Sequence, residues 1–177
     1  MSMFFESLLD LLAEHYFVIK FVHLVFAAIW AWSTSVAYSN YLLPIFRGWQ
    51  RAPDDKEKIA LRNWAMERFD DGAKLEHIAF PLLLVTGVLM MLAAGWTPDN
   101  GWFAMKLVLI VLVFIPIEAM DYYLAHLGCN KEKLRASGDA ERYERAIHLH
   151  WWFLVVTMPI VIASITFAFF LAVAKPF

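Results

Sequence analysis

At 177 residues the chain is the size of one domain, yet 61% of it is apolar, 16% aromatic and only 18% charged, more greasy surface than a soluble domain of this length can hide. A net charge of −2, with no basic stripe interleaved with aromatics, speaks against a nucleic-acid partner. The single cysteine, Cys129, excludes an intramolecular disulfide and any thiolate-built metal or iron–sulfur centre within one chain.

The charges are segregated into residues 47–76 and 130–145, with long stretches almost free of them between. That pattern predicts an all-α fold, an integral membrane four-helix bundle forming one domain over residues 1–177 in a lipid bilayer. No lysine or arginine precedes Lys20, so the start lacks the basic region of a cleaved signal peptide and the first apolar segment is expected to stay. Before it, Glu6, Asp10 and Glu14 recur opposite Phe4, Phe5, Leu8, Leu11 and Leu12, a short amphipathic helix suited to lie along the outer interface.

The first span is expected over residues 15–46, breaking near Pro44. Pro53, Asp54 and Asp55 then open a second amphipathic helix through Ala65 in a cytoplasmic loop, with Trp64 and Phe69 turned to lipid or to the bundle. The second span covers 76–96. A tight turn at Trp96, Pro98, Asn100 and Gly101, flanked by the interface anchors Trp96 and Trp102, makes spans two and three antiparallel neighbours. The third span covers 102–127 and the fourth 146–174, with Pro116 and Pro159 as tolerated kinks.

Of 15 lysines and arginines, seven lie between spans one and two and five between spans three and four, leaving Lys20, Lys106 and Lys175. The positive-inside rule therefore puts both loops in the cytoplasm and both termini on the outer side of a bacterial-type inner membrane.

Ionisable groups inside a span are costly, a few kcal/mol each on insertion scales, so each is a candidate for function. On the outer half, Lys20 and His23 share a face of span one and meet the level of Lys106 in span three, about 5 to 12 Å into the bundle. On the cytoplasmic half lie His77, Glu118, Asp121, His126, His148 and His150. Glu118 and Asp121 share a face and are placed to accept protons, or to pair with His126 or a loop arginine. Histidines on facing helices suit haem or a metal, and His77 with one of His148 and His150 makes a candidate ligand pair. Two residues apart, His148 and His150 point to nearly opposite sides, so at most one faces the bundle centre. Simpler readings stand beside these: His23 as a hydrogen-bonded structural histidine, His77, His148 and His150 as headgroup anchors, and Lys106 as a snorkelling lysine. Ala27, Ala28, Ala31, Ser33 and Ser35, with Gly87, leave room either for a flat macrocycle or for close helix packing.

The run IKFVHLVFAAIW at Ile19 to Trp30, the MER at Met66 to Arg68, the GWFAMKLVLIVL at Gly101 to Leu112 and the terminal KPF at Lys175 to Phe177 together resemble the HemJ-type protoporphyrinogen IX oxidases. The resemblance implies a small helical bundle that binds haem b and converts protoporphyrinogen IX to protoporphyrin IX in the membrane, with His23 and Lys106 at the positions of the family's functional histidine and lysine. Two segments depart from that pattern. SNYLLPIFRGW at Ser39 to Trp49 carries no histidine, and the asparagine-glutamate-x-proline of the family's last span is absent.

Two functions follow as expectations. One is a haem b membrane oxidoreductase in which His23 and Lys106 hold or contact haem and electrons pass from a porphyrinogen or another donor to quinone; His77, His148 or His150 would then hold a second haem or metal. The other is a non-enzymatic component, alone, as a homo-oligomer or in a larger complex: a copper or other metal-ion permeation protein, with His23, His77 and His148 as ligands and Met66, Met90, Met91, Met105, Met120 and Met158 as thioether donors, or an accessory subunit.

Overall fold

A computed structural model describes residues 2–176, and Phe177 of the terminal KPF lies outside them. The elements are α1 (Ser2–Glu14), α2 (Tyr16–Ala37), a π-helical turn (Tyr38–Leu42), α3 (Leu43–Gln50), α4 (Lys56–Ala94), α5 (Gly101–Leu109), a second π turn (Ile110–Phe114), α6 (Ile115–Tyr122), a third π turn (Tyr123–Leu127), α7 (Lys131–Ser137) and α8 (Ala140–Ala174). Four stretches, Tyr16–Gln50, Lys56–Ala94, Gly101–Ser137 and Ala140–Ala174, are each long and apolar enough to cross a membrane. The protein is an all-α, multi-pass membrane protein.

The break expected at Pro44 is absorbed rather than made. A proline ring collides with the carbonyl four residues before it. For Pro44 and Pro116 that carbonyl belongs to Asn40 and Leu112, each inside a π turn, where the widened coil makes room and the rod continues.

The helix that carries span two begins at Lys56, and the expected separate loop helix is its first part. Asp55 caps it by accepting from the backbone N–H groups of Glu57 and Lys58 at 3.0 and 3.3 Å, and no proline intervenes before Pro81. Arg62, Met66, Phe69, Ala73, Glu76 and Phe80 carry one buried stripe through the charged segment. Phe69 turns into the bundle at 2% exposure, while Trp64 faces outward. The helix stops at Gly95, whose φ of +65° only glycine adopts without strain.

Adjacent spans do not pack evenly. Helix α2 lies along α4 and α5 lies along α8, so the hairpin between spans two and three joins two pairs instead of forming one. At the end bearing the charged loops, here the loop end, the pairs meet in a core of Leu42, Phe46, Met66, Ile147, Trp151 and Leu154, none above 3% exposed. Phe46 stacks on Trp151 at 4.1 Å between ring centroids. Burying side chains of this size from water contributes about 1.5–3 kcal/mol each, a gain lost in the hydrocarbon region, where lipid is as apolar as leucine. At the opposite, terminal end the pairs stand apart. Tyr16, Trp96 and Trp102 form an aromatic rim there, with Lys175 Nζ over both tryptophans at 5.3 and 5.2 Å. Phe4, Phe5 and Leu11 of α1 face outward, as an interfacial helix requires.

Candidate functional site

The gap between the helix pairs is a cavity of about 630 Å³, within the range of small-molecule and cofactor sites. Its apolar walls include Trp30, Phe80, Phe114 and Phe169, and Lys20, His23, Lys106 and Lys175 bring nitrogen to it; among the described residues no carboxylate lines it. The structure thus gathers Lys20, His23 and Lys106, which the level argument had matched, and adds Lys175 from the far end of the chain. None of the three lysines takes part in an ion pair among the described residues. Lys106 is partly buried among the apolar walls, and Lys20 and Lys175 are exposed, so the three ammonium groups are open to an anion or to water.

His23 is oriented from behind. Its Nδ1 lies 3.0 Å from Thr86 Oγ1, and that hydroxyl spends its only hydrogen on the carbonyl of Leu82 at 2.8 Å. With that hydroxyl donating to a carbonyl, Thr86 accepts from Nδ1–H, the tautomer in which Nε2 keeps a free lone pair. Gly87 makes this approach possible, because a Cβ there would stand 3.3 Å from His23 Cε1.

The loop half holds a second constellation. Asp121 receives two histidines: His150 Nε2 donates to Oδ1 at 2.9 Å, and His77 Nε2 lies 3.2 Å from Oδ2. His77 Nδ1 is 3.0 Å from His126 Nε2. On the other side of His150, Lys131 Nζ donates to its Nδ1, to Asp70 Oδ2 at 2.9 Å and to the Leu124 carbonyl at 2.9 Å. Lys131 and His150 are 1% and 0% exposed. His150 Nδ1 thus stands between Lys131 Nζ and Asp70 Oδ1, the latter 3.2 Å away, while Nε2 is aimed at Asp121. Between this cluster and the cavity, Trp30 Nε1 donates to Glu118 Oε1 at 2.5 Å, and Glu118 in turn faces Glu76, with Ser33 alongside.

His148 goes elsewhere: it sits half-exposed beside Glu144 at 3.2 Å and against Trp49, so only His150 of the pair enters the bundle. His77 and His150 converge on the Asp121 carboxylate; both ring nitrogens of His150 are hydrogen-bonded, whereas His77 is bonded at Nδ1 and its Nε2 stands 3.2 Å from Asp121 Oδ2 without an aligned bond. No group of three or more His, Cys, Asp or Glu among the described residues is arranged to hold a metal. His77 and His150 join one polar network around Asp121. The methionines form no file either: Met90 lines the cavity, Met66 and Met158 are in the loop-end core, and Met105 and Met120 face outward.

Glu76, Asp70, Lys131 and Trp30 escape notice in the sequence. Asp70 and Lys131 read as loop charges, and Glu76 as a helix-end residue. The stripe through Phe69, Ala73 and Phe80 is the signal that would have put Asp70 and Glu76 on the buried face.

At the loop end, Arg62 is 1% exposed and grips Glu144 through two parallel bonds of 2.7 and 2.6 Å, with its guanidinium 4.4 Å above the Trp49 ring. Partial burial pushes the Glu144 carboxyl up, but the Arg62 fork and charge, with His148, outweigh it and hold it below the usual carboxylate range.

Compared with protein-family models, with curated proteins and with solved structures, the chain matches none.

Proposed function

We propose that the protein is a membrane oxidoreductase of the tetrapyrrole class, binding haem b in the terminal-end cavity and passing electrons from a porphyrinogen or similar donor toward quinone. The observation that carries this reading is the cavity itself: flat aromatic walls, three lysines with neither an ion pair nor a lining carboxylate among the described residues, and a histidine whose outer nitrogen is turned to no protein partner. Haem needs that set: an imidazole lone pair for iron, apolar walls for the macrocycle, and cations for its two carboxylates. His23 would hold the iron, with Lys106, Lys20 and Lys175 receiving the carboxylates. Bound there, haem supplies one-electron chemistry; the chain's own residues orient it, exclude water and neutralise its acidic edge. The likeness of the Ile19–Trp30 and Gly101–Leu112 runs to the HemJ-type oxidases supports the same reading. In this reading the loop end, which carries twelve of the fifteen lysines and arginines, is cytoplasmic, and the cavity opens toward the outer face.

The test is a reduced-minus-oxidised optical spectrum of protein purified in mild detergent and titrated with haem b, for the wild type, His23→Ala, Lys106→Met and, as a control, His77→Ala. The expected result is a b-type spectrum lost in His23→Ala, weakened in Lys106→Met and kept in His77→Ala. A folded wild type that takes up no haem overturns the redox reading, and a spectrum lost only with His77→Ala moves the cofactor to the loop half.

A further inference from the structure

Below the cavity floor, Glu76 and Glu118 are 6% and 8% exposed, and their carboxyl groups face each other. Glu76 Oε2 and Glu118 Oε2 are both buried with no donor among the described residues. Two acceptor-only groups in contact repel, and they make a hydrogen bond only if one of them carries a proton. The pair is therefore a proton-holding site, placed directly beneath Trp30, which lines the cavity and donates to Glu118.

A route for that proton is laid out from the loop end. His126 borders a small polar cleft of about 40 Å³, lined also by Asp70, Asp71, Lys74 and Lys131, large enough for water. From there the side chains run inward as His126, His77 and Asp121, with steps of 3.0 and 3.2 Å. Asp121 lies one turn from Glu118 on the same face of α6, close enough for their charges to interact. The atoms alternate correctly. His126 takes a proton on Nδ1 and releases one from Nε2 to His77 Nδ1; His77 releases one from Nε2 to Asp121 Oδ2, and Asp121 passes it to the glutamate pair. Each imidazole ends with the protons it began with, after its ring hydrogens reset. His77 Nε2 and Asp121 Oδ2 stand 3.2 Å apart and have no other partner, so a small swing of the imidazole aligns the bond along which the proton moves. His150, Lys131 and Asp70 hold Asp121 from the other side, a positioning role.

We propose that His126, His77 and Asp121 form a proton relay between the loop-end surface and the buried Glu76–Glu118 pair, delivering protons to, or removing them from, the floor of the cavity. The relay needs no tetrapyrrole, and its test uses none, so its failure is separate from that of the haem reading.

The experiment is infrared spectroscopy of the full-length protein in lipid vesicles, following hydrogen–deuterium exchange of the protonated-carboxyl C=O band. The wild type is expected to show a carboxylic-acid band that disappears in Glu76→Gln or Glu118→Gln and exchanges promptly after transfer to deuterated buffer. In His77→Phe, which keeps the ring bulk against Tyr122 and His126, the band should persist and exchange far more slowly. His126→Phe should slow it likewise, and His148→Phe, outside the path, should not. Absence of the band in the wild type, or exchange equally fast in His77→Phe and His126→Phe, overturns the relay. Should one phenylalanine variant fail to fold by thermal unfolding, the other decides.

Discussion

Thr86 and Gly87 determine what His23 can offer. The threonine accepts from Nδ1 and the glycine lets the ring lie close, so the free nitrogen results from the neighbours as much as from the histidine. Thr86→Val keeps the volume but leaves a buried N–H without a partner, a loss of about 1–3 kcal/mol. We expect haem affinity to fall about 10–100-fold, as for other changes behind a ligand, read by titrating the b-type spectrum. Gly87→Ala, whose Cβ would stand 3.3 Å from His23 Cε1, should displace the ring by a few tenths of an ångström. It should weaken haem binding in the same titration while leaving thermal unfolding nearly unchanged. His23 and Lys106 are legible in the sequence because a charge or an imidazole inside an apolar run has no cheap explanation. Thr86 and Gly87 are not, because nothing in a threonine-glycine pair records which residue of another helix lies opposite.

At the scale of elements, the loop end is held by α4 and α8 through Arg62 and Glu144. Arg62→Ala removes a buried stem, its stacking on Trp49 and a two-bond grip, and should lower stability by about 3 kcal/mol, measurable by chemical unfolding in detergent. The pair also has a pH signature. Glu144 is held below its unfolded range, so its contribution is complete above the unfolded carboxylate range and disappears as pH falls through the folded value. Wild type should therefore lose its advantage over Arg62→Ala on acidification through the carboxylate range and keep it at neutral pH. The four spans were legible as elements because each apolar run exceeds membrane thickness. The union of the loop helix with span two was not, because charge density suggested a boundary where the buried stripe through Arg62, Phe69 and Glu76 runs on without one.

For the whole molecule, two helix pairs meet at one end and part at the other, so rigidity and the cavity are divided between the ends. The lone Cys129, in the turn before α7 and partly exposed, is a built-in marker of orientation. An impermeant maleimide should label it in inverted membrane vesicles and spare it in right-side-out cells, with Asp99→Cys in the opposite turn, combined with Cys129→Ser, giving the reverse; labelling of Cys129 from outside would invert the topology. The π turn at Ile110–Phe114 makes span three sensitive to length in a way its greasiness conceals. A π turn holds one residue more than an α turn, so deleting a single residue there would let the coil relax to α geometry with everything after it in nearly the same phase. Such a variant would still be long enough and apolar enough to insert, and its Glu118 and Asp121 would keep facing Trp30, His77 and His150. Deleting two residues would turn both carboxylates by about 100° toward lipid, leaving a correctly inserted protein whose interior wiring is cut.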